Sequence, residues 1–330
     1  MTQQRTVSGM RPTGPLHLGH YFGVIKNWVE LQKEMDCFFF VADWHALTSD
    51  YADPARVKSF VPELVKDWVA SGLNPEECVI FQQSLVKEHA ELNLLLGMVT
   101  PLGWLERCPT YKEQREQITN KDLGNFGFLG YPVLMATDIL MYRPQWVPVG
   151  QDQLPHIEMT REIARRFNFL YSNEFFPEPQ AKLTPEAKLP GLDGRKMSKS
   201  YNNSIYLRES MEEITPKVRG MLTDQNRLRK TDAGNPDICN LFPYHVLMTD
   251  AETQAEIRSG CTSASLGCVE CKKLLLASLE RFLAPIQERR HALEEKPDLV
   301  RDIIQSGSDR AREHARKTME GVRELIHFDF

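Results

Sequence analysis

The first half of the chain alternates short apolar runs with longer segments whose apolar residues recur at helical spacing, and this alternation restricts the fold more than any other feature. Residues 5–9 read as a strand. Residues 15–34 read as a helix with Leu18, Phe22, Ile25, Val29 and Leu31 near one face, and 37–42 (Cys-Phe-Phe-Phe-Val-Ala) as a buried strand. A helix over 54–71 ends at Gly72; a short strand at 78–81 and a helix over 87–100 follow. A fourth strand at 146–149 precedes a long helix over 151–168. Such repetition predicts an α/β fold with a doubly wound parallel sheet. Each strand ends in polar or Gly-rich sequence: Gly9-Met10-Arg11-Pro12-Thr13-Gly14, then Asp43-Trp44-His45, then Gln82-Gln83-Ser84, then Gly150-Gln151-Asp152. Ligands of open parallel sheets bind outside the carboxyl ends of the strands, so four such ends predict a nucleotide site there.

From about residue 175 the character changes. Residues 175–204 are rich in Pro, Gly and Lys without apolar period and read as a long loop; beyond 205 the pattern is helical. Leu274, Leu275, Ala277, Leu279, Phe282, Leu283 and Ile286 form a helix core with Pro285 as a kink site, and 311–326 is a further helix. The expected organisation is a Rossmann-like domain over 1–204 and an all-helical domain over 205–330, whose last helix can pack back on the first. A length of 330 residues with 42% apolar content supports one large core and a smaller one. No stretch reaches the roughly 18 apolar residues of a membrane span, and the polar N-terminus lacks a signal-peptide core. A cytoplasmic protein without a membrane partner is expected. The net charge of −5 does not advertise a nucleic-acid binder. Basic residues do cluster late, at Arg227, Arg229 and Lys230, at Lys272 and Lys273, at Arg289 and Arg290, and at Arg310, Arg312, Arg316 and Lys317. Each cluster taken singly also reads as a solvated helix face.

Two motifs carry phosphate chemistry. Pro12-Thr13-Gly14-Pro15-Leu16-His17-Leu18-Gly19-His20 lies between a strand and a helix, where free N–H groups and the helix dipole favour an anion. Gly14 permits a tight turn and Gly19 a close backbone approach. His17 and His20 share a helix face and can donate to phosphate oxygens. The second motif is Gly191-Leu192-Asp193-Gly194-Arg195-Lys196-Met197-Ser198-Lys199-Ser200, whose two lysines and two hydroxyls suit a leaving pyrophosphate. Alone, it would also pass for an exposed basic loop.

Together, His-Leu-Gly-His and Lys-Met-Ser-Lys-Ser resemble the paired signatures of class I aminoacyl-tRNA synthetases; the first differs from the usual His-Ile-Gly-His by one conservative change. The resemblance implies that an amino acid carboxylate attacks the α-phosphate of ATP, accompanied by Mg²⁺, and that the adenylate then passes to tRNA. Catalysis of that kind is positioning and charge stabilisation, with no enzyme nucleophile. His17, His20, Lys196 and Lys199 would be the catalytic residues. Arg11, Pro12, Thr13, Gly19, His20, Gly150, Gln151, Asp152, Leu189, Lys196, Met197, Ser198, Lys199 and Ser200 would surround ATP. Residues 1–204 would then be the catalytic domain, including the Lys196-containing loop, and 205–330 the tRNA anticodon-binding domain.

The length narrows the resemblance to the tryptophanyl and tyrosyl members. The segment Tyr131-Pro132-Val133-Leu134-Met135-Ala136-Thr137-Asp138-Ile139-Leu140-Met141-Tyr142 is apolar apart from Asp138, and Tyr131, Met135 and Asp138 share a helix face. A buried carboxylate needs a partner, and an indole N–H is one; a structural Asp bonded to backbone or to a lysine is the other reading. This segment and Trp146-Val147-Pro148-Val149-Gly150-Gln151-Asp152-Gln153-Leu154-Pro155-His156-Ile157-Glu158 resemble the tryptophanyl family, over essentially the whole chain. The resemblance implies that Asp138 reads the indole nitrogen and that Met135, Tyr131, Val147, Val149 and Gln153 complete the tryptophan site. It further implies tRNA(Trp) as partner and a homodimer. Gln151, Arg11 and Val7 depart from the residues many members carry. The alternatives are a tyrosyl-specific enzyme and a non-catalytic RNA-binding iron–sulfur sensor.

Of seven cysteines, Cys37, Cys78 and Cys108 read as inert thiols. Cys239, Cys261, Cys268 and Cys271 are spaced C-x₂₁-C-x₆-C-x₂-C. Four soft thiolates suit Zn²⁺ or an iron–sulfur cluster. Zinc sites usually show two close pairs and here there is one; the spacing resembles that of a bacterial subset of the family with a [4Fe-4S] cluster in the tRNA-binding domain.

Overall fold

The computed structural model describes residues 4–117, 121–183 and 189–328. It divides into two compact units: Met1–Gly14 with Asn27–Pro185 and Lys296–Phe330, and Pro15–Lys26 with Glu186–Glu295.

The first unit is built on a five-stranded, all-parallel sheet: β1 (Arg5–Met10), β2 (Asp36–Val41), β3 (Val79–Gln82), β4 (Trp146–Val149) and β5 (Gln180–Leu183), in the spatial order β3-β2-β1-β4-β5. With the surrounding helices this is the α/β, Rossmann-like architecture. β2 is apolar from Cys37 to Val41 and buried throughout that run, as a central parallel strand covered on both faces must be. Trp28 stacks on Phe39 at 4.4 Å between ring centres and meets Trp68 edge-on at 5.2 Å. β5 lies within the stretch expected to be loop. Its sequence, Gln-Ala-Lys-Leu, lacks β-branched residues and is half-exposed, and main-chain pairing to β4 at the sheet edge places it.

The helix Pro297–Leu325 belongs to this unit and lies across β3. Gly307 makes the approach possible, because a Cβ there would overlap the carbonyl of Ile80. Ser308 Oγ accepts from the Gln82 N–H at 3.3 Å, and Arg310 donates to the carbonyls of Pro75 and Cys78 at 2.7 and 2.8 Å.

The second unit is helical. Leu18–His20 continues through a π-helical turn, Tyr21–Ile25; Met211–Gly220, Phe242–Met248, Ala251–Thr262 and Cys268–Glu294 complete it. Cys268–Glu294 runs through Pro285 and buries Leu275, Leu279, Leu283 and Ile286. Leu274 and Ala277, expected in its core, are exposed, because residues four apart share a stripe that these two miss. Phe282 stacks on Phe22 at 5.3 Å. Among the described residues no helix is long and apolar enough to cross a membrane.

Candidate active site

In the first unit the chemistry gathers at the carboxyl ends of β2 and β3. Asp138, on the helix Tyr131–Met141, is fully buried. Its Oδ2 accepts from His45 Nε2 at 2.8 Å, its Oδ1 from His89 Nδ1 at 2.6 Å, and Gln83 Nε2 donates to both oxygens at 2.8 Å. Gln83 cannot flip, since its Oε1 accepts from the N–H groups of Trp44 and His45 at 3.1 and 3.3 Å. His89 Nε2 meets the Tyr142 hydroxyl at 2.7 Å; with Nδ1–H turned to the carboxylate, Nε2 accepts from that hydroxyl. Burial alone would raise the Asp138 pKa, but hydrogen bonds from His45 and His89 hold it below the usual carboxylate range.

One and two turns back on the same helix, Met135 is half-buried and Tyr131 buried. The Tyr131 hydroxyl donates to Thr110 Oγ1 at 3.1 Å, and Thr110 donates to His156 Nε2 at 2.7 Å. Burial, then the neighbouring His45, lowers His156 to about 4, so the ring is a neutral acceptor on that side; its buried Nδ1 has no partner among the described residues. Val147 and Val149 are buried on β4 in the same hydrophobic core against which Met135 packs. Gly150 and Gln153 are half-buried, Gln151 and Asp152 exposed, and Gln153 Nε2 donates to Asp152 Oδ2 at 2.9 Å. Pro12 is buried, Thr13 half-buried, and Arg11 donates to Ser49 and, at 3.2 Å, to Asp50.

The second unit brings the two phosphate motifs together. Main-chain bonds from Leu18 N–H to Ile205 O and from Leu207 N–H to Leu16 O, both 3.0 Å, tie the turn holding His17 and His20 to the chain that follows Ser200. Gly19 N–H donates to Met197 Sδ at 3.4 Å. The imidazoles of His17 and His20 stack at 3.6 Å. Each Nδ1 accepts a main-chain N–H from the other residue, at 3.3 and 3.2 Å. The ring proton therefore sits on Nε2 in both, and each Nε2–H is a donor. Burial and the charge of Lys199 lower His17 to about 4; burial, His17 and Lys199 push His20 well below its ordinary value. Two neutral N–H donors thus lie beside a lysine. Lys196 is exposed, Ser198 and Lys199 half-buried, Leu189 and Met197 buried; the side chain of Ser200 lies outside the described residues.

Cys239, Cys261, Cys268 and Cys271 are half-buried free thiols in this unit. They are close enough to raise one another electrostatically: burial first, then the other three sulfurs, pushes Cys271 up to about 12. Cys271 Sγ meets His245 Nε2 at 3.4 Å, and Arg227 Nη1 stands 4.0 Å from Cys268 Sγ. The donor chemistry fits a thiolate-bound metal centre. As placed, however, no three His, Cys, Asp or Glu side chains among the described residues converge to hold an ion.

Residues 2–284 match the family model described as tRNA synthetases class I (W and Y). The chain is 52% identical to a tryptophan–tRNA ligase of Thermotoga maritima, covering 99% of this chain and all of the relative, and 46% identical to that of Aquifex aeolicus, covering 98% and 99%. The chain belongs to the class I tryptophanyl- and tyrosyl-tRNA synthetase family. Within it, the Campylobacter jejuni tryptophanyl-tRNA synthetase solved with ADP and tryptophan superposes with a TM-score of 0.90 at 33% identity over 98% of this chain and 99% of that one. A tyrosyl-tRNA synthetase of Archaeoglobus fulgidus shares the synthetase fold at a TM-score of 0.67 and 22% identity.

His45, Gln83, His89, Tyr142 and Thr110 were not singled out from the sequence as site residues. Their signal was positional: His45 and Gln83 stand in the polar tails of β2 and β3. Nothing local marks His89, which meets Asp138 across 49 residues of chain.

Proposed function

We infer that this chain is an aminoacyl-tRNA ligase that activates L-tryptophan with ATP to tryptophanyl-adenylate and pyrophosphate and transfers tryptophan to tRNA(Trp). The observation that carries the reading is the end-to-end match to tryptophan–tRNA ligases at 52% identity. The neutral Nε2–H donors of His17 and His20 support a phosphate-binding role, and Lys196 and Lys199 the stabilisation of the leaving pyrophosphate. Arg11, Pro12, Thr13, Gly19, Gly150, Gln151, Asp152, Leu189, Met197, Ser198 and Ser200 are proposed around ATP and its Mg²⁺. Tyr131, Met135, Asp138, Val147, Val149 and Gln153 are proposed around tryptophan. The indole N–H would have to share or replace a donor on Asp138, whose two oxygens already accept from His45, Gln83 and His89. His45 is the partly exposed one of these three donors. Tryptophan-dependent ATP–pyrophosphate exchange, with tyrosine as control, tests the assignment. Exchange with tyrosine alone moves it to the tyrosyl enzyme, and no exchange with either moves it to a non-catalytic RNA binder.

The helical region beyond residue 204 is proposed to contact the tRNA anticodon, with Cys239, Cys261, Cys268 and Cys271 as ligands of a [4Fe-4S] cluster. Support comes from the gathering of four unpaired thiols beside Arg227, whose charge offsets thiolates. Iron, sulfide and zinc analysis of anaerobically purified protein decides it: iron with sulfide supports the cluster, zinc alone the alternative. Cys271→Ser should reduce tRNA charging more than adenylate formation; equal losses would count against an anticodon role. A cytoplasmic homodimer is also proposed. Leu94 and Met98, exposed apolar residues one turn apart on the helix Glu88–Val99, support the dimer, and sedimentation checks it.

A further inference from the structure

We propose that Asn203 is a positioning residue for Lys196 and Lys199: its buried amide clamps the peptides on either side of Met197 and so fixes the loop that carries both lysines. The proposal rests on the reading of these lysines as the groups that hold the leaving pyrophosphate.

The loop is a tight hairpin. Gly191 N–H donates to Arg195 O at 2.6 Å, Gly194 N–H donates to Gly191 O at 3.0 Å, and Gly194 takes a φ of +83°. Pro190 and Lys196 form an antiparallel bridge at its base. The arm before the turn is held from outside, by Asn240 Nδ2 on Gly191 O at 2.9 Å and the Tyr244 hydroxyl on Pro190 O at 2.6 Å. Neither reaches the arm that bears the lysines. Asn203 does. Its Nδ2 donates to Asp193 Oδ1 at 2.7 Å and to Lys196 O at 3.2 Å, and its Oδ1 accepts from Ser198 N–H at 2.8 Å. Its own carbonyl accepts from Leu192 N–H at 2.9 Å.

The amide is used at both ends, so its orientation is determined: flipping it would set N–H against N–H at Ser198 and oxygen against oxygen at Asp193. Gly191 makes room, since a Cβ there would overlap the Asn203 amide. The two motif atoms bound by Asn203, Lys196 O and Ser198 N, flank Met197, whose sulfur accepts the Gly19 N–H. Lys196 is exposed, and a long lysine side chain reaches from wherever its main chain is held. Asn203 thus sets, through backbone alone, where Lys196 and Lys199 start relative to Gly19 and the His17–His20 turn.

The test compares Asn203→Ala, Lys196→Ala and Lys199→Ala in tryptophan-dependent pyrophosphate exchange, with tryptophan affinity by equilibrium dialysis and thermal unfolding. Asn203→Ala is expected to lower kcat about 10- to 100-fold, the cost of misplacing catalytic groups by about an ångström, with KM and Kd for tryptophan unchanged. Asn203→Asp keeps an acceptor for Ser198 N–H but sets oxygen against Asp193 Oδ1 and Lys196 O, and should lower kcat at least as far, again with KM and Kd for tryptophan unchanged. Wild-type kcat in Asn203→Ala beside impaired lysine variants would overturn the proposal and leave the lysine reading intact. Wild-type exchange in both lysine variants would overturn the lysine reading and the proposal with it. Should Asn203→Ala fail to fold, Asn203→Asp decides: a lowered kcat in folded protein supports the clamp, and wild-type kcat overturns it.

Discussion

Asp138 and the lysines of the 196–200 run hold charge in opposite ways. The carboxylate is fully buried, accepts from three side chains on separate segments, and has its pKa set by them. Lys196 is exposed, and its order comes from main-chain bonds to the loop that carries it. A group that selects between similar side chains gains from being desolvated and fixed, because an unmatched partner is then costly. A group that neutralises a departing polyanion must admit and release it, and long-range charge does that work with less geometric demand.

The largest expected break is Asp138→Ala. Removing one partner of a buried charged cluster costs about 3–5 kcal/mol, and His45, Gln83 and His89 would all lose their acceptor. Urea unfolding should show that loss, and tryptophan affinity should fall while the KM for ATP stays. A variant of unchanged stability would show that the three donors find other partners. Next comes Lys199→Ala, where kcat for pyrophosphate exchange should drop about 100- to 1000-fold, the usual consequence of removing one stabilising donor. Tryptophan affinity should not move. A fall in tryptophan affinity equal to the fall in kcat would erase the contrast between the two regions. Smaller again is Tyr142→Phe, which strips the donor from buried His89 Nε2 and should cost about 1–3 kcal/mol in unfolding free energy. Its effect on exchange should appear in KM for tryptophan and leave kcat.

The sequence made the two regions unequally legible. The continuous apolar run of β2 announced a central strand, and the spacing of His17 and His20 placed both imidazoles on one helical turn. Which ring nitrogen bears the proton was beyond it, because that depends on reciprocal capping between the two residues. Asp138 stood out as a lone carboxylate in an apolar helix. Its protein partners come from positions as far as 93 residues away and follow no periodicity. The strand Gln180–Leu183 was hidden for a related reason: main-chain pairing places it, and none of its side chains is β-branched. Gly307, unremarkable inside a helical pattern, becomes informative once β3 lies against it. Local pattern reports what a residue needs, and tertiary structure supplies who answers.

The smallest effect, a shift in one histidine's midpoint, separates the regions by cause. His156 and His17 are both lowered to about 4, the first by burial and then His45, the second by burial and then Lys199. An unfolded histidine titrates near about 6.5, so between there and about 4 the unfolded chain binds protons that the folded chain refuses. Folding stability should therefore be level above neutrality and decline as pH falls through that window, by up to about 1.4 kcal/mol per pH unit for each such histidine. Lys199→Ala removes the charge acting on His17 but leaves burial in place. The His17 midpoint, followed by its imidazole resonances, should rise above about 4 but stay below the ordinary value, while that of His156 should not shift. A His17 midpoint indifferent to Lys199 would mean that burial alone sets both histidines, and the loop lysine would then have no electrostatic hold on the turn beside it.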